Sequence, residues 1–345
     1  MTQESFGWGI VGLGGMARRM VSAIGRASNA HLAAVASRDV VKAQSFAEEH
    51  GNARAYGDYD AMLGDQSVQV VYVCTPNVLH AEQSIAALRA GKHVLVEKPM
   101  ALTVADAESM VEVARSANLT LGVGFHLRHH AVHREIKRLL DAGTAGQPIF
   151  TSALWGMYNP TLHLQIHRWQ MQHAIAGAGS LMGIGVHEVD LLPWLLGQPI
   201  VEVSALADGP SDLYPVEFLT TVSLRFETGV LGQFTCSRRL PNGTNSVLIY
   251  GSDQRIEGHE TLSMEPAGQL RIVRGTSAAE TRLPIIDPYQ VEVEAFSQSL
   301  VDGMPFEASG DDGVRSVAVT VAIVESIHTG KAVSIKANVR SPEAQ

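Results

Sequence analysis

The feature that most constrains this chain is its opening strand-to-helix turn. Trp8-Gly9-Ile10-Val11 is a short apolar run. Gly12-Leu13-Gly14-Gly15-Met16-Ala17 follows at once, and a helical pattern continues to about Ala27. The glycines form a G-x-G-x-x-A pattern where a strand ends and a helix begins. In that setting Gly12 permits a tight turn, Gly14 lets the backbone approach a pyrophosphate, and Ala17 lets the helix pack closely on the strand. Gly15 and Met16 open the helix whose free N–H groups would face the phosphates. A glycine motif alone says little; its place inside a strand–helix–strand unit gives it force.

The alternation continues. Leu32–Ala36 is a strand and Ala43–His50 a helix on the 3.6 period. Val68–Cys74 is nearly all apolar, as strands buried on both faces are. Ala81–Ala90 is a helix closed by Gly91, His93–Glu97 a strand, Val104–Ser116 a helix and Leu119–Val123 a strand. This rhythm predicts right-handed βαβ units and a parallel sheet. After a helix at His133–Ala142 the pattern changes to Val-, Thr-, Phe- and Leu-rich runs: Ile149–Trp155, Val201–Leu206, Leu219–Glu227, Val230–Arg238 and Ser246–Tyr250. Turn signals such as Pro241-Asn242-Gly243 separate them, which predicts antiparallel hairpins in one open sheet. Helices return at Gln290–Val301 and Asp312–His328. The expected fold is an α/β Rossmann domain over residues 1–124, then an α+β domain with a large, mainly antiparallel sheet over residues 125–345.

Composition removes other classes. With 26 Lys and Arg against 35 Asp and Glu, the net charge is −9, which argues against a nucleic-acid footprint or a polybasic membrane contact. The longest uncharged stretches, Ala142–His167 and Trp169–His187, are broken by Gly, Pro, Gln, Asn and His and do not read as membrane spans. No signal or transit peptide is evident at the N-terminus, and Cys74 and Cys236 sit inside apolar runs. The expectation is a reduced, cytoplasmic protein with no disulfide frame.

In an open parallel sheet, ligands bind off the carboxyl ends of the strands. Gly12, Ser37, Thr75 and Lys98 all fall at such tips. The second strand ends in Ser37-Arg38-Asp39, where an NAD-selective site wants an acid. A hydroxyl and a guanidinium suit a 2′-phosphate, so the tip favours NADP; NAD is the alternative because Asp39 follows directly. The third strand leads into Thr75-Pro76-Asn77, with His80 close behind, and the fourth into Glu97-Lys98-Pro99. These residues complete the expected cofactor site. An ammonium at the Lys98 position would polarise a carbonyl or ease deprotonation of a hydroxyl.

Three segments together resemble the Gfo/Idh/MocA family of sugar and polyol oxidoreductases: Gly12–Ala17, Glu97-Lys98-Pro99, and the run from Gly177 to Asp190, which contains Gly183, His187 and Asp190. The resemblance implies reversible hydride transfer between a nicotinamide and a secondary carbinol. It makes Lys98 the catalytic lysine, His187 the general acid/base and Asp190 a substrate or orienting residue. It also implies an open C-terminal sheet used in oligomerisation, as a homodimer or homotetramer. Two positions depart from the family's pattern. Gly183 stands where sugar-oxidising relatives usually carry Asp, four residues before the histidine, and the missing side chain is expected to leave space there. Trp169-Gln170 stands where many relatives have Trp-Arg.

Eight of the 14 histidines lie between His126 and His187. The pairs His126/His130 and His163/His167 have i,i+4 spacing, but no His-Glu-x-x-His arrangement accompanies them, and no metal site is expected. The expectation is a polar sugar pocket lined by His126, Arg128, His163 and His167, with Tyr158 and Trp169 against the ring. Two rivals remain. One is a nicotinamide-binding sensor that has lost catalysis, for which Gly183 speaks. The other is a metal-dependent hydrolase built on the histidines, against which the dinucleotide pattern speaks.

Overall fold

The computed structural model describes residues 5–51, 53–158, 168–209 and 215–335. It divides into two compact units: Met1–His126 with Asp287–Val314, and Leu127–Ile286 with Arg315–Gln345. The change of unit after His126 lies close to the boundary expected at Gly124. The return of Asp287–Val314 to the first unit has no signal in the local pattern.

In the first unit the elements run β1 (Phe6–Val11), α1 (Gly15–Arg26), β2 (Ala30–Ala36), α2 (Val40–Glu49), β3 (Arg54–Tyr56), α3 (Tyr59–Leu63), β4 (Val70–Val73), α4 (His80–Arg89), β5 (His93–Val96), α5 (Val104–Ser116) and β6 (Leu121–Val123). Every strand pair is parallel, and the strand order is β3-β2-β1-β4-β5-β6. Strands β1 and β4 are buried along their whole length, as apolar strands in a two-sided parallel sheet must be. Helix α1 buries Ala17, Met20, Val21 and Ile24, one apolar stripe at helical spacing. The chain order reverses between β1 and β4, and this switch point is where such sheets bind ligands.

The second unit holds α6 (Ala131–Asp141), β7 (Pro148–Gly156), α7 (His173–Ala176), α8 (Val186–Leu196), β8 (Ile200–Ala207), β9 (Leu219–Phe226), β10 (Leu231–Ser237), β11 (Ser246–Gly251), β12 (Arg255–His259), β13 (Gln269–Arg274) and β14 (Ser277–Thr281). Helix α9 (Pro288–Asp302) belongs to the first unit; α10 (Gly310–Thr329) and β15 (Val333–Ser334) follow it. The second sheet has nine strands in the order β14-β13-β12-β11-β7-β10-β9-β8-β15. Its central pair, β7 with β10, is parallel, and the other neighbours are antiparallel. The sheet is thus mainly antiparallel, as expected, and its one parallel pair arises because β7 is followed by helices and two further strands before its partner arrives. Along β9 buried and exposed residues alternate, so one face meets the core. Helix α8 is buried from Val186 to Leu192, with His187, Glu188 and Asp190 among otherwise apolar residues. A π-helical turn, Leu181–Gly185, precedes it.

Candidate active site

The first unit builds a dinucleotide cradle. Gly12 has φ +96, and a Cβ there would lie 2.7 Å from the Cys74 and Thr75 backbone, so only glycine fits. Gly14 and Gly15 are exposed, with open space where a side chain would stand. Gly14 caps α1 without a side-chain hydrogen bond, which leaves the first N–H groups of this twelve-residue helix to a ligand. Cys74 Sγ donates to the Gly12 carbonyl at 3.0 Å and ties the β1 and β4 tips together. Met16 is half-buried at the first turn. This chain's residues fit a pyrophosphate.

At the β2 tip the Asp39 carboxylate accepts from Val41 N–H at 3.0 Å and Lys42 N–H at 3.1 Å, and its own N–H donates to Ser37 Oγ at 3.2 Å. The acid is thus the N-cap of α2. Arg38 beside it is exposed and forms no ion pair among the described residues.

Beyond β4, Thr75 Oγ1 donates to Gln83 Oε1 at 2.6 Å, Pro76 caps the single turn Asn77–Leu79, and Asn77 is buried. His80, expected to face the cofactor, instead lies 2.8 Å from both the Pro99 and the Thr75 carbonyl oxygens, through Nδ1 and Nε2 respectively. Burial holds this imidazole below its usual range, against the pull of the carbonyls. Its position links the turns that follow β4 and β5. Glu97 is also buried. Its carboxylate accepts from Tyr72 Oη and, at 3.2 Å, from the Lys98 N–H. Burial and Glu97 push the Tyr72 phenol well up, so it remains a donor. Glu97 and His80 therefore act on the turn that carries Lys98, which is itself only half-buried. His126 also belongs to this unit and stacks on Tyr289 at 4.5 Å.

The second unit builds a different cluster. His187 is buried near the start of α8, with Trp155 of β7 against it at 5.2 Å between ring centroids. Arg128 and Asp190 are both buried and hold one another: Nε to Oδ2 at 2.9 Å and Nη2 to Oδ1 at 2.5 Å. The bidentate pair fixes α8 to the segment before α6; it joins Arg128, expected in the sugar pocket, to Asp190, expected as a substrate or orienting residue. His130 caps α6 through Val132 N–H, with Nε2 at 3.0 Å from the Ala267 carbonyl. His133 lies between the Leu127 carbonyl and Thr261 Oγ1. Trp169 is half-buried on a short turn, and Tyr158 is exposed, bridged to Arg239. His163 and His167 lie outside the described residues. Among the described residues no group of three or more His, Cys, Asp or Glu is placed to hold a metal.

The space expected at Gly183 is filled. A Cβ there would lie 1.8 Å from Arg238 Nη2 and 2.7 Å from its Cζ, so the guanidinium lies directly on the glycine. Beside it, Glu217 accepts from the N–H groups of Gly179 at 2.8 Å and Leu181 at 3.0 Å. Arg238 and Glu217 were missed by sequence reasoning. A signal for Arg238 existed: Phe234 and Cys236 of β10 point inward, and the alternation of a strand carries the inward face to residue 238.

Comparison with known proteins identifies the family and the fold. Residues 6–125 match the oxidoreductase family with an NAD-binding Rossmann fold, and residues 133–257 match the GFO/IDH/MocA C-terminal domain. The 1,5-anhydro-D-fructose reductase of Ensifer adhaerens is 32% identical over 333 residues, covering 95% of this chain and 98% of its own. An aldose-aldose oxidoreductase from Caulobacter crescentus, solved with glycerol, superposes with TM-score 0.89 at 27% identity, covering 96% of this chain and 100% of its own. A 3-ketoreductase from Actinomadura kijaniata, solved with TDP-benzene and NADP, gives TM-score 0.81 at 27% identity, covering 94% and 98%. This chain is an NAD(P)-dependent oxidoreductase of CH–OH groups. It belongs to the Gfo/Idh/MocA family.

Proposed function

We propose that the protein transfers hydride between NADP and a secondary carbinol or carbonyl of a sugar, glycoside or cyclic polyol. The observation that carries this reading is the convergence of Gly12, Ser37, Thr75 and Lys98 at successive strand tips of one parallel sheet. The nicotinamide supplies or accepts the hydride when bound. Gly12, Gly14, Gly15 and the α1 N-terminus hold its pyrophosphate. Ser37 and Arg38 take the 2′-phosphate, since Asp39 is engaged as a helix cap. Lys98 stabilises negative charge on the reacting oxygen, and His187 takes up or returns its proton. Glu97 and His80 position the Lys98 turn; the Arg128–Asp190 pair positions α8. Trp169 and Tyr158 contribute apolar surface for a sugar ring. The reductase and oxidoreductase names of the relatives support the sugar or polyol class. Self-association through the second sheet, as a dimer or tetramer, belongs to the same proposal.

A panel of aldoses, glycosides, anhydro-sugars and inositols, assayed by nicotinamide absorbance with each cofactor and with and without a chelator, tests it. Turnover of at least one class, insensitive to chelator, is the expected result. Tight cofactor binding with no turnover across the panel favours the sensor reading.

A further inference from the structure

Arg238 is a cation in search of an anion. Its guanidinium is largely enclosed, yet no carboxylate lies within ion-pair distance among the described residues. The neighbouring Arg239 points the other way and pairs with Asp208 at 2.9 Å. Glu217, the acid with the strongest pull on Arg238, has its oxygens on the Gly179 and Leu181 N–H groups. A mostly buried guanidinium without a counter-ion is costly, and nearly all such groups in proteins have a partner.

Its position says where that partner enters. Cys236 of β10 stands opposite Trp155 of β7, and Trp155 lies against His187. Arg238 follows two residues later, just past the end of β10 and about 7 Å on. There it covers Gly183, about one helical turn before His187. A single sugar ring with its substituents spans such a separation, whereas a nucleotide diphosphate tail would overshoot it.

We infer that Arg238 is an anion-recognition residue, and that the preferred substrate carries a carboxylate or phosphate ester on the sugar ring near the reacting carbon. This rests on the oxidoreductase reading. The absence of a side chain at Gly183 is then what lets the guanidinium lie beside the histidine.

The test compares glucose, glucuronate and glucose 6-phosphate as probes in wild type, Arg238→Gln and Arg238→Lys. Wild type should favour one of the two anionic sugars over glucose in kcat/KM. Hydrogen bonds to charged groups predict that Arg238→Gln lowers that anionic-to-neutral ratio about 10- to 150-fold, with Arg238→Lys between the two. A brace for the π-helical turn would instead lower all three substrates together and leave the ratio alone. An unchanged ratio, or a wild type that prefers glucose, overturns the inference. Should the Gln variant not fold, the wild-type preference and the Lys variant decide. Tryptophan fluorescence of the NADP-loaded protein, titrated with each probe, reads binding without turnover. Arg238-dependent glucuronate or phosphate-sugar binding with no turnover would refute the oxidoreductase reading and keep the anion site.

Discussion

The choice between cofactors turns on one side chain, and Arg38→Ala tests it. Arg38 stands exposed at the β2 tip with no ion pair among the described residues, so no described carboxylate competes for its guanidinium. A charge-assisted bond to a 2′-phosphate is worth about 1.5–3 kcal/mol, and exposure places this one toward the lower end. The expected loss is therefore about 10- to 30-fold in NADP affinity, with NAD affinity changed less than about threefold. Asp39 sharpens the test, because its carboxylate accepts the N–H groups of Val41 and Lys42. Asp39→Ala should cost about 0.5–2 kcal/mol of stability through the lost cap, with little change in NAD affinity. Titration by cofactor fluorescence at two salt concentrations, alongside urea denaturation, reads both effects. The NADP advantage should shrink as salt rises. Equal losses for the two cofactors in Arg38→Ala, or a large NAD loss in Asp39→Ala, would refute the reasoning.

Other substitutions separate chemistry from support. Lys98→Ala and His187→Ala should each lower kcat severely while cofactor affinity holds, and their double mutant should lose less than the sum, as cooperating groups do; near wild-type turnover in His187→Ala would send the proton elsewhere. Gly183→Asp should fold, because the atoms in its way are the far end of the flexible Arg238 side chain, and its carboxylate should neutralise that guanidinium. The anionic-to-neutral kcat/KM ratio should then fall as in Arg238→Gln, and a rise would contradict the geometry. Asp190→Asn leaves Arg128 buried without its carboxylate, and chemical denaturation should show a loss of about 3–5 kcal/mol. Burial lowers the ring pKa of His80 and His130, and that of His129 to about 3. These groups stay neutral when folded but protonate when unfolded, so stability should fall as pH drops below about 6.5, by up to about 1.4 kcal/mol per pH unit for each. A stability that is flat between pH 7 and pH 5 would show that the rings are not held neutral.

The sequence by itself determined the first unit and the chemistry at its edge. Apolar strands alternating with one-striped helices leave almost no other arrangement, and Gly12 fills a turn that no other residue can adopt. The βαβ rhythm alone therefore placed Ser37, Thr75 and Lys98 at strand tips. Tertiary structure decided what the polar residues do, because partnership depends on positions far apart in the chain. Arg128 reads in the sequence as a sugar ligand and Asp190 as a substrate or orienting residue; only folding sets the two against each other. His80 looks like a cofactor contact until the turns after β4 and β5 close around it. The late strands β12, β13 and β14 are not among the expected runs; β12 is a charged, glycine-containing segment and β14 a fully exposed edge strand, and such segments carry little hydrophobic period. The return of Asp287–Val314 to the first unit also depends on packing: Trp8 meets Phe296, and its indole donates to Ser297. Gly183 shows the difference most plainly. A glycine in the sequence marks only a missing side chain, and whether the space is empty depends on a strand that arrives some fifty residues later. In this fold Arg238 fills it, because the chain leaving β10 lays the guanidinium onto a residue without a Cβ.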